Sequence, residues 1–113
     1  MAENYSEMEI SAEEFYEVIN NSDKLIAVNF FAEWHMPCLM FFPVIEDLAE
    51  KMKDVRFVKM NIDDNQEVVE KHNVSTIPCL IIFRNGKEIA KIIGAQSIEI
   101  IEEKIKGCLI TEN

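Results

Sequence analysis

The segment Trp34-His35-Met36-Pro37-Cys38 holds the side chains of this chain that are best suited to chemistry. It lies between a predicted buried apolar run, residues 25–31, and a helical pattern that begins at Pro37. That junction suits a Cys-x-x-Cys pair, because a helix N-terminus stabilises the thiolate of the first cysteine. Here a histidine takes the first position and a cysteine the second. The segment therefore predicts thiol–disulfide chemistry from which one of the two sulfurs is missing.

Cys38 has three interpretations. The first is an inert thiol in the first turn of a helix, since buried cysteines are usually unreactive. The second is a monothiol that reacts with a disulfide or a peroxide. The third is metal or iron–sulfur ligation with His35, which lies three residues earlier and so shares a helical face with it. Two ligands do not make a site, so we expect no metal and no cofactor.

Length, charge and apolar content predict a single domain over residues 1–113 in the cytoplasm. The net charge of −10 repels the phosphates of nucleic acids and of anionic membranes. The apolar runs are far shorter than the roughly 20 residues that span a membrane. The acidic first residues do not resemble a signal peptide. We expect neither a nucleic acid nor a membrane as a partner.

The apolar patterns predict helices that alternate with strands. Ser11 and Glu14 have the spacing of a capping box and should begin the first helix. Pro37 begins a longer helix, in which Pro43 predicts a kink. Asn85-Gly86 predicts a tight antiparallel hairpin. The predicted strands cover residues 25–31, 55–62, 79–83 and 88–93, with a further short one near residues 5–9, and further helices follow residue 63 and Ser97.

Several segments, in order, resemble the thioredoxin family over nearly the whole chain. The resemblance implies an α/β fold, the thioredoxin fold, with a central mixed β-sheet of four to five strands flanked by about four helices. The segments that carry it are Phe30-Phe31-Ala32-Glu33-Trp34, Pro37-Cys38, Pro43, Val58-Lys59-Met60-Asn61-Ile62-Asp63, Ile77-Pro78, Phe83-Arg84-Asn85-Gly86-Lys87 and Gly94-Ala95.

The resemblance also implies a catalytic arrangement from which this chain departs. In the family, a first cysteine attacks a substrate disulfide, a second resolves the mixed disulfide, and a buried aspartate helps take a proton from the second thiol. Cys38 matches the second cysteine, His35 replaces the first and Asn29 replaces the aspartate. Dithiol disulfide reductase activity is then lost or reduced to monothiol chemistry at Cys38. Whether the chain is an enzyme stays open.

The family's peptide-binding surface has matches in this sequence. Trp34, Met36, Pro37, Ile77 and Pro78 should form an exposed apolar rim, with the bond before Pro78 in the cis form. The alternative function is therefore a non-enzymatic module that binds protein segments. The expected partners are protein substrates or partner peptides, with a reductant of the thioredoxin reductase type as a further candidate.

The resemblance also predicts the placement of two more residues, Cys79 and Lys59. The family fold brings the loop before Cys79 against the active-site turn, so Cys79 is a candidate second thiol for Cys38. Alternation along its strand favours burial of Cys79 as a small hydrophobe instead. Lys59 matches a lysine near the family's buried aspartate. With Asn29 at that place, we expect the Lys59 side chain to extend outward to solvent.

Overall fold

The fold positions the site between a strand and a helix of a layered α/β domain. The computed structural model describes residues 8–20 and 23–110. In chain order the elements are α1 (Ala12–Asn20), β1 (Leu25–Phe31), α2 (Met36–Lys51), β2 (Val55–Asn61), α3 (Gln66–Lys71), β3 (Cys79–Arg84), β4 (Lys87–Ile93) and α4 (Ile98–Ile110).

The four strands form one mixed sheet in the order β2-β1-β3-β4. β1 and β2 are parallel, which requires the crossover through α2, whereas β3 is antiparallel to both β1 and β4. The predicted thioredoxin fold is confirmed. Of the strand expected near residues 5–9, residues 5–7 lie outside the described part of the chain. Glu9 makes an isolated parallel bridge with Lys59 of β2.

Helices cover both faces of the sheet, and each face has its own hydrophobic core. Because side chains alternate along a strand, Ala27 of β1 and Leu80 of β3 lie with α2 and α4. Phe30 of β1 and Cys79 of β3 lie in the other core, with α1 and with Val68 of α3. The continuous apolar run of β1 is thus explained by burial on both faces.

The local signals read from the sequence have the expected geometry. The Ser11 amide donates to Glu14 Oε1 at 2.9 Å, and the Glu14 amide donates to Ser11 Oγ at 3.3 Å. These reciprocal bonds are the predicted capping box. Asn85 and Gly86 have φ angles of 52° and 82°, as a two-residue hairpin turn requires.

α2 begins at Met36, one residue before the predicted start, and includes Pro43. Its buried face contains Cys38, Phe41, Ile45 and Leu48. The helical pattern points to Phe42 as a core residue and does not single out Phe41. Phe42 is partly buried against the core on that face, whereas Phe41 is fully buried in it.

Candidate functional site

His35 lies at the N-terminus of α2, immediately outside the first helical turn. Its backbone is extended (φ −105°, ψ 109°), and it forms the N-cap of the helix. The amides of Cys38 and Leu39 donate to the His35 carbonyl oxygen at 3.0 and 3.2 Å. These bonds fix His35 at the N-terminus of the helix, at the position that the resemblance matches to the nucleophilic cysteine.

The His35 side chain contacts the sulfur of Cys38. The distance from His35 Nδ1 to Cys38 Sγ is 3.2 Å, and Cys38 is 0% exposed. Burial raises the pKa of the Cys38 thiol, and a hydrogen bond from the Ala32 backbone offsets part of that increase. Desolvation therefore outweighs this hydrogen bond, and the protonated thiol is favoured.

Trp34 stands beside this pair and is mostly exposed. Its Nε1 donates to Asp63 Oδ2 at 2.8 Å, and its ring meets the His35 ring edge-on with centroids 5.7 Å apart. Met36 and Pro37 follow as exposed residues at the start of α2. These three apolar side chains form the part of the expected rim that is open to solvent.

The loop before β3 supplies the other two expected rim residues. The Ile77–Pro78 peptide bond is cis, in line with the resemblance. Ile77 is half-buried, but Pro78 is buried, and its carbonyl oxygen accepts a hydrogen bond from the Gly94 amide at 2.8 Å. The expectation that Pro78 is exposed is wrong, because it lies beneath the surface where β3 begins.

Cys79 lies on the other side of the sheet from Cys38. Its side chain belongs to the core between the sheet and α1, with Phe30 and Ile81, whereas the buried face of α2 packs against the opposite core. Cys79 is 1% exposed, and burial raises the pKa of its thiol to about 11. All three cysteines are free. The structure therefore buries Cys79 and does not bring it to Cys38.

Asn29 and Lys59 are register partners on β1 and β2. Asn29, which the resemblance matches to the family's aspartate, is fully buried. Lys59 is only 7% exposed, and its Nζ lies 5.1 and 4.9 Å from the ring centroids of Phe31 and Phe42. Burial lowers the pKa of Lys59. The expectation that Lys59 extends into solvent is wrong, because the two aromatic faces hold its ammonium group inside.

Sequence reasoning did not place Leu39, Met40 and Pro43 in the site. All three are exposed on α2, Met40 to 70%. The sequence does contain a signal that could have identified them: residues 36–43 include no charged, amide or hydroxyl side chain. A helix half composed in this way must turn some apolar side chains to solvent unless it is buried all round.

Two further searches cover only the described residues. Within residues 8–20 and 23–110, no three His, Cys, Asp or Glu side chains cluster in a way that could hold a metal ion. Nor is any helix in this part of the chain long and apolar enough to cross a membrane.

A strand–turn–helix site with a cis-proline loop, on a mixed four-stranded sheet, defines a thioredoxin-like protein. The sequence model of the thioredoxin family matches residues 6–107. Thioredoxin-2 of Saccharomyces cerevisiae is 40% identical over 90 residues, which is 80% of this chain and 86% of that protein. Chlamydia pneumoniae thioredoxin is 41% identical over 96 residues, or 85% and 92% of the two chains. The chain belongs to the thioredoxin family of thiol–disulfide oxidoreductases.

Solved structures agree with this assignment. Mitochondrial thioredoxin 3 from Saccharomyces cerevisiae, in its oxidised form, is similar with a TM-score of 0.83 and 30% identity, covering 91% of this chain and 97% of that one. A Halobacterium salinarum thioredoxin mutant has a TM-score of 0.82, 28% identity and 88% coverage of each chain. Because relatives include a mitochondrial protein, a cytoplasmic location for this chain stays a prediction.

Proposed function

We propose that this chain is a thioredoxin-family protein that has lost dithiol disulfide reductase activity, so that its remaining thiol chemistry is limited to Cys38 as a monothiol. The observation that supports this most strongly is the 3.2 Å contact between His35 Nδ1 and Cys38 Sγ. In the mapping that the resemblance implies, an imidazole then occupies the place where the reaction needs its first, nucleophilic sulfur.

The family reaction depends on two sulfurs in sequence. The first thiolate attacks a substrate disulfide, forms a mixed disulfide and releases one substrate thiolate. The second thiolate then attacks the mixed disulfide, releases the other substrate thiolate and leaves an intramolecular disulfide. An imidazole nitrogen at position 35 cannot form the mixed disulfide, so Cys38 has nothing to resolve. The same loss leaves no purpose for a proton acceptor at position 29, where Asn29 stands.

Direct attack by Cys38 on a substrate is opposed by its surroundings. Its sulfur is buried, and its pKa is raised by burial, so few molecules carry an accessible thiolate near neutral pH. A monothiol reaction therefore needs a local opening at the start of α2, with displacement of the His35 ring. We expect this chemistry to be slow, and we expect no stable disulfide for a thioredoxin reductase to reduce.

A second function, the binding of protein segments without chemistry, has its own support. Trp34 and Met36 are 69% and 61% exposed next to the inactive pair. Large apolar side chains kept at the surface are a common mark of an interaction site. The exposure of these two side chains supports binding of protein segments at this site.

The reduction of insulin by dithiothreitol tests the proposed loss of activity. We expect the native protein to add nothing to the rate with dithiothreitol alone. The variant His35→Cys restores the pair and should raise the rate at least about tenfold, and His35→Cys with Cys38→Ser should abolish that gain. Circular dichroism verifies that each variant is folded. Turnover by the native protein at a rate comparable to that of His35→Cys would contradict the proposal.

A further inference from the structure

An exposed apolar surface extends from the active-site turn along α2. Its members are apolar and solvent-facing and lie within residues 34–43. We call them the α2 apolar patch: Trp34, Met36, Pro37, Leu39, Met40 and Pro43. Leu39 and Met40 are 38% and 70% exposed. The patch is therefore wider than the rim that the family resemblance implies, because it includes two further turns of helix.

Helical spacing explains why these residues share a surface. Met36, Leu39, Met40 and Pro43 are separated by three or four residues, so they line one face of α2. The opposite face holds Phe41 and Ile45 in the core. Polar residues return to the exposed face only with Asp47, which is one turn beyond Pro43. Unbranched methionine side chains adapt to partners of different shapes, as in other protein-binding surfaces.

Acidic residues flank the patch in the sequence, and basic ones are absent from that stretch. Between residues 25 and 50 the sequence has four acids, namely Glu33, Glu46, Asp47 and Glu50, and neither lysine nor arginine. A fifth acid, Asp63, contacts the Trp34 indole. Lys59 of β2 is buried against Phe31 and Phe42, and the charges of Glu33 and Glu46 act on its ammonium group. From the remaining acids and the chain's net charge of −10 we infer a negative potential at the patch.

We propose that the α2 apolar patch binds a basic amphipathic segment of a partner protein. Apolar side chains of that segment cover Met36, Leu39 and Met40, and its lysines or arginines face the acids at the border. A second copy of this chain fits poorly, because it would bring the same acids together. The inference rests on the binding role given above as the second function, and it names the partner's chemistry.

A synthetic helical peptide of leucine and lysine, without tryptophan, tests this partner chemistry. Trp34 is the only tryptophan of the chain, so its fluorescence reports binding at the patch. We expect a saturable blue shift with the leucine–lysine peptide and at least about tenfold weaker binding of a leucine–glutamate peptide of the same pattern. Equal affinity for the two peptides, or no shift with either, would overturn the proposal.

Two matched variants separate patch binding from general attraction to an acidic protein. Met40→Glu removes an apolar contact but adds a negative charge, so simple attraction predicts tighter binding and the patch predicts about tenfold weaker binding. Ile100→Glu makes the same change at a 44% exposed residue of α4 and should bind as the native protein does. Equal effects of the two variants would contradict the proposal. So would a dimer in sedimentation that Met40→Glu dissociates.

The binding test and the activity test can each reject one proposal without rejecting the other. Cys38→Ser removes the only thiol assigned to the site and should bind the leucine–lysine peptide with native affinity. If native protein reduced insulin yet bound the peptide as expected, the proposed loss of chemistry would be wrong and the docking surface would stand. If insulin reduction were absent and peptide binding failed, only the docking surface would be wrong.

Discussion

His35 Nδ1 lies 3.2 Å from Cys38 Sγ at the N-terminus of α2. By the resemblance to thioredoxins, this contact joins the two positions that carry the family's reaction, and the imidazole at one of them cannot form a disulfide. The thiol that remains is buried and favours its protonated form. In the function proposed above, position 35 decides the chemistry of the whole site, because the second cysteine of the pair acts only after the first.

Asn29 should limit any activity that is restored at position 35. In the His35→Cys background, Asn29→Asp supplies a proton acceptor at the place of the family's aspartate. We expect it to raise insulin reduction by a further factor of about ten or more. Asn29→Asp alone should stay inactive, because the nucleophile is missing. Activity in that single variant would mean that the role assigned to position 35 is wrong.

The three cysteines should differ in their reaction with iodoacetamide. Cys108 is half-buried on α4, whereas Cys38 and Cys79 are buried. In the native protein at about pH 8, we expect Cys108 to be labelled first and the other two only on unfolding. Because the His35 ring contacts the sulfur, His35→Ala should raise Cys38 labelling about tenfold without changing Cys79. Mass spectrometry of peptides reads each site, and fast labelling of native Cys38 would contradict its burial.

Cys79 should make the fold less stable at high pH. Burial raises the pKa of its thiol to about 11 from its ordinary 9.0. Above about pH 9 the unfolded chain loses this proton while the folded chain keeps it, so the free energy of unfolding falls by about 1.4 kcal/mol per pH unit until about pH 11. Below that window the contribution is constant.

Cys79→Ala isolates this effect in urea unfolding. At about pH 8 the variant should be less stable than the native protein by about 1 kcal/mol, because it leaves a small cavity. The deficit should shrink or reverse at about pH 10.5. A deficit that is the same at both pH values would mean that Cys79 titrates normally in the folded state.

Truncation of two neighbouring residues on α2 should change the free energy of unfolding by very different amounts. Phe41 is 1% exposed and Met40 is 70% exposed. Phe41→Ala should lower the free energy of unfolding by about 3–5 kcal/mol, since it opens a cavity in the core. Met40→Ala should change it by less than about 0.5 kcal/mol. Comparable losses in the two variants would show that the helix faces are assigned wrongly.

Most of the fold could be predicted from local signals in the sequence. The capping box at Ser11 and the Asn85-Gly86 turn each need only a few neighbouring residues to form. The inner face of α2 was harder, because an apolar run on a helix has no periodicity to distinguish the buried Phe41 from Phe42. Met40 was missed for the same reason.

The site was predicted less completely, since its details depend on contacts between distant elements. The pairing of His35 with Cys38 follows from their spacing on one turn. The separation of Cys79 from Cys38 does not follow from spacing. It depends on which face of the sheet Cys79, the first residue of β3 and the register partner of Phe30, turns its side chain to. The burial of Lys59 likewise requires two aromatic rings from different elements, Phe31 and Phe42.

The most direct test of the lost dithiol chemistry is the mass of the native protein after equilibration in a glutathione redox buffer and acid quenching. A dithiol member of the family forms an intramolecular disulfide and loses two hydrogens. We predict that the native protein keeps Cys38 free of any intramolecular disulfide, while His35→Cys converts to a disulfide between positions 35 and 38. A disulfide of Cys38 with Cys79 or Cys108 in the folded native protein would contradict the account.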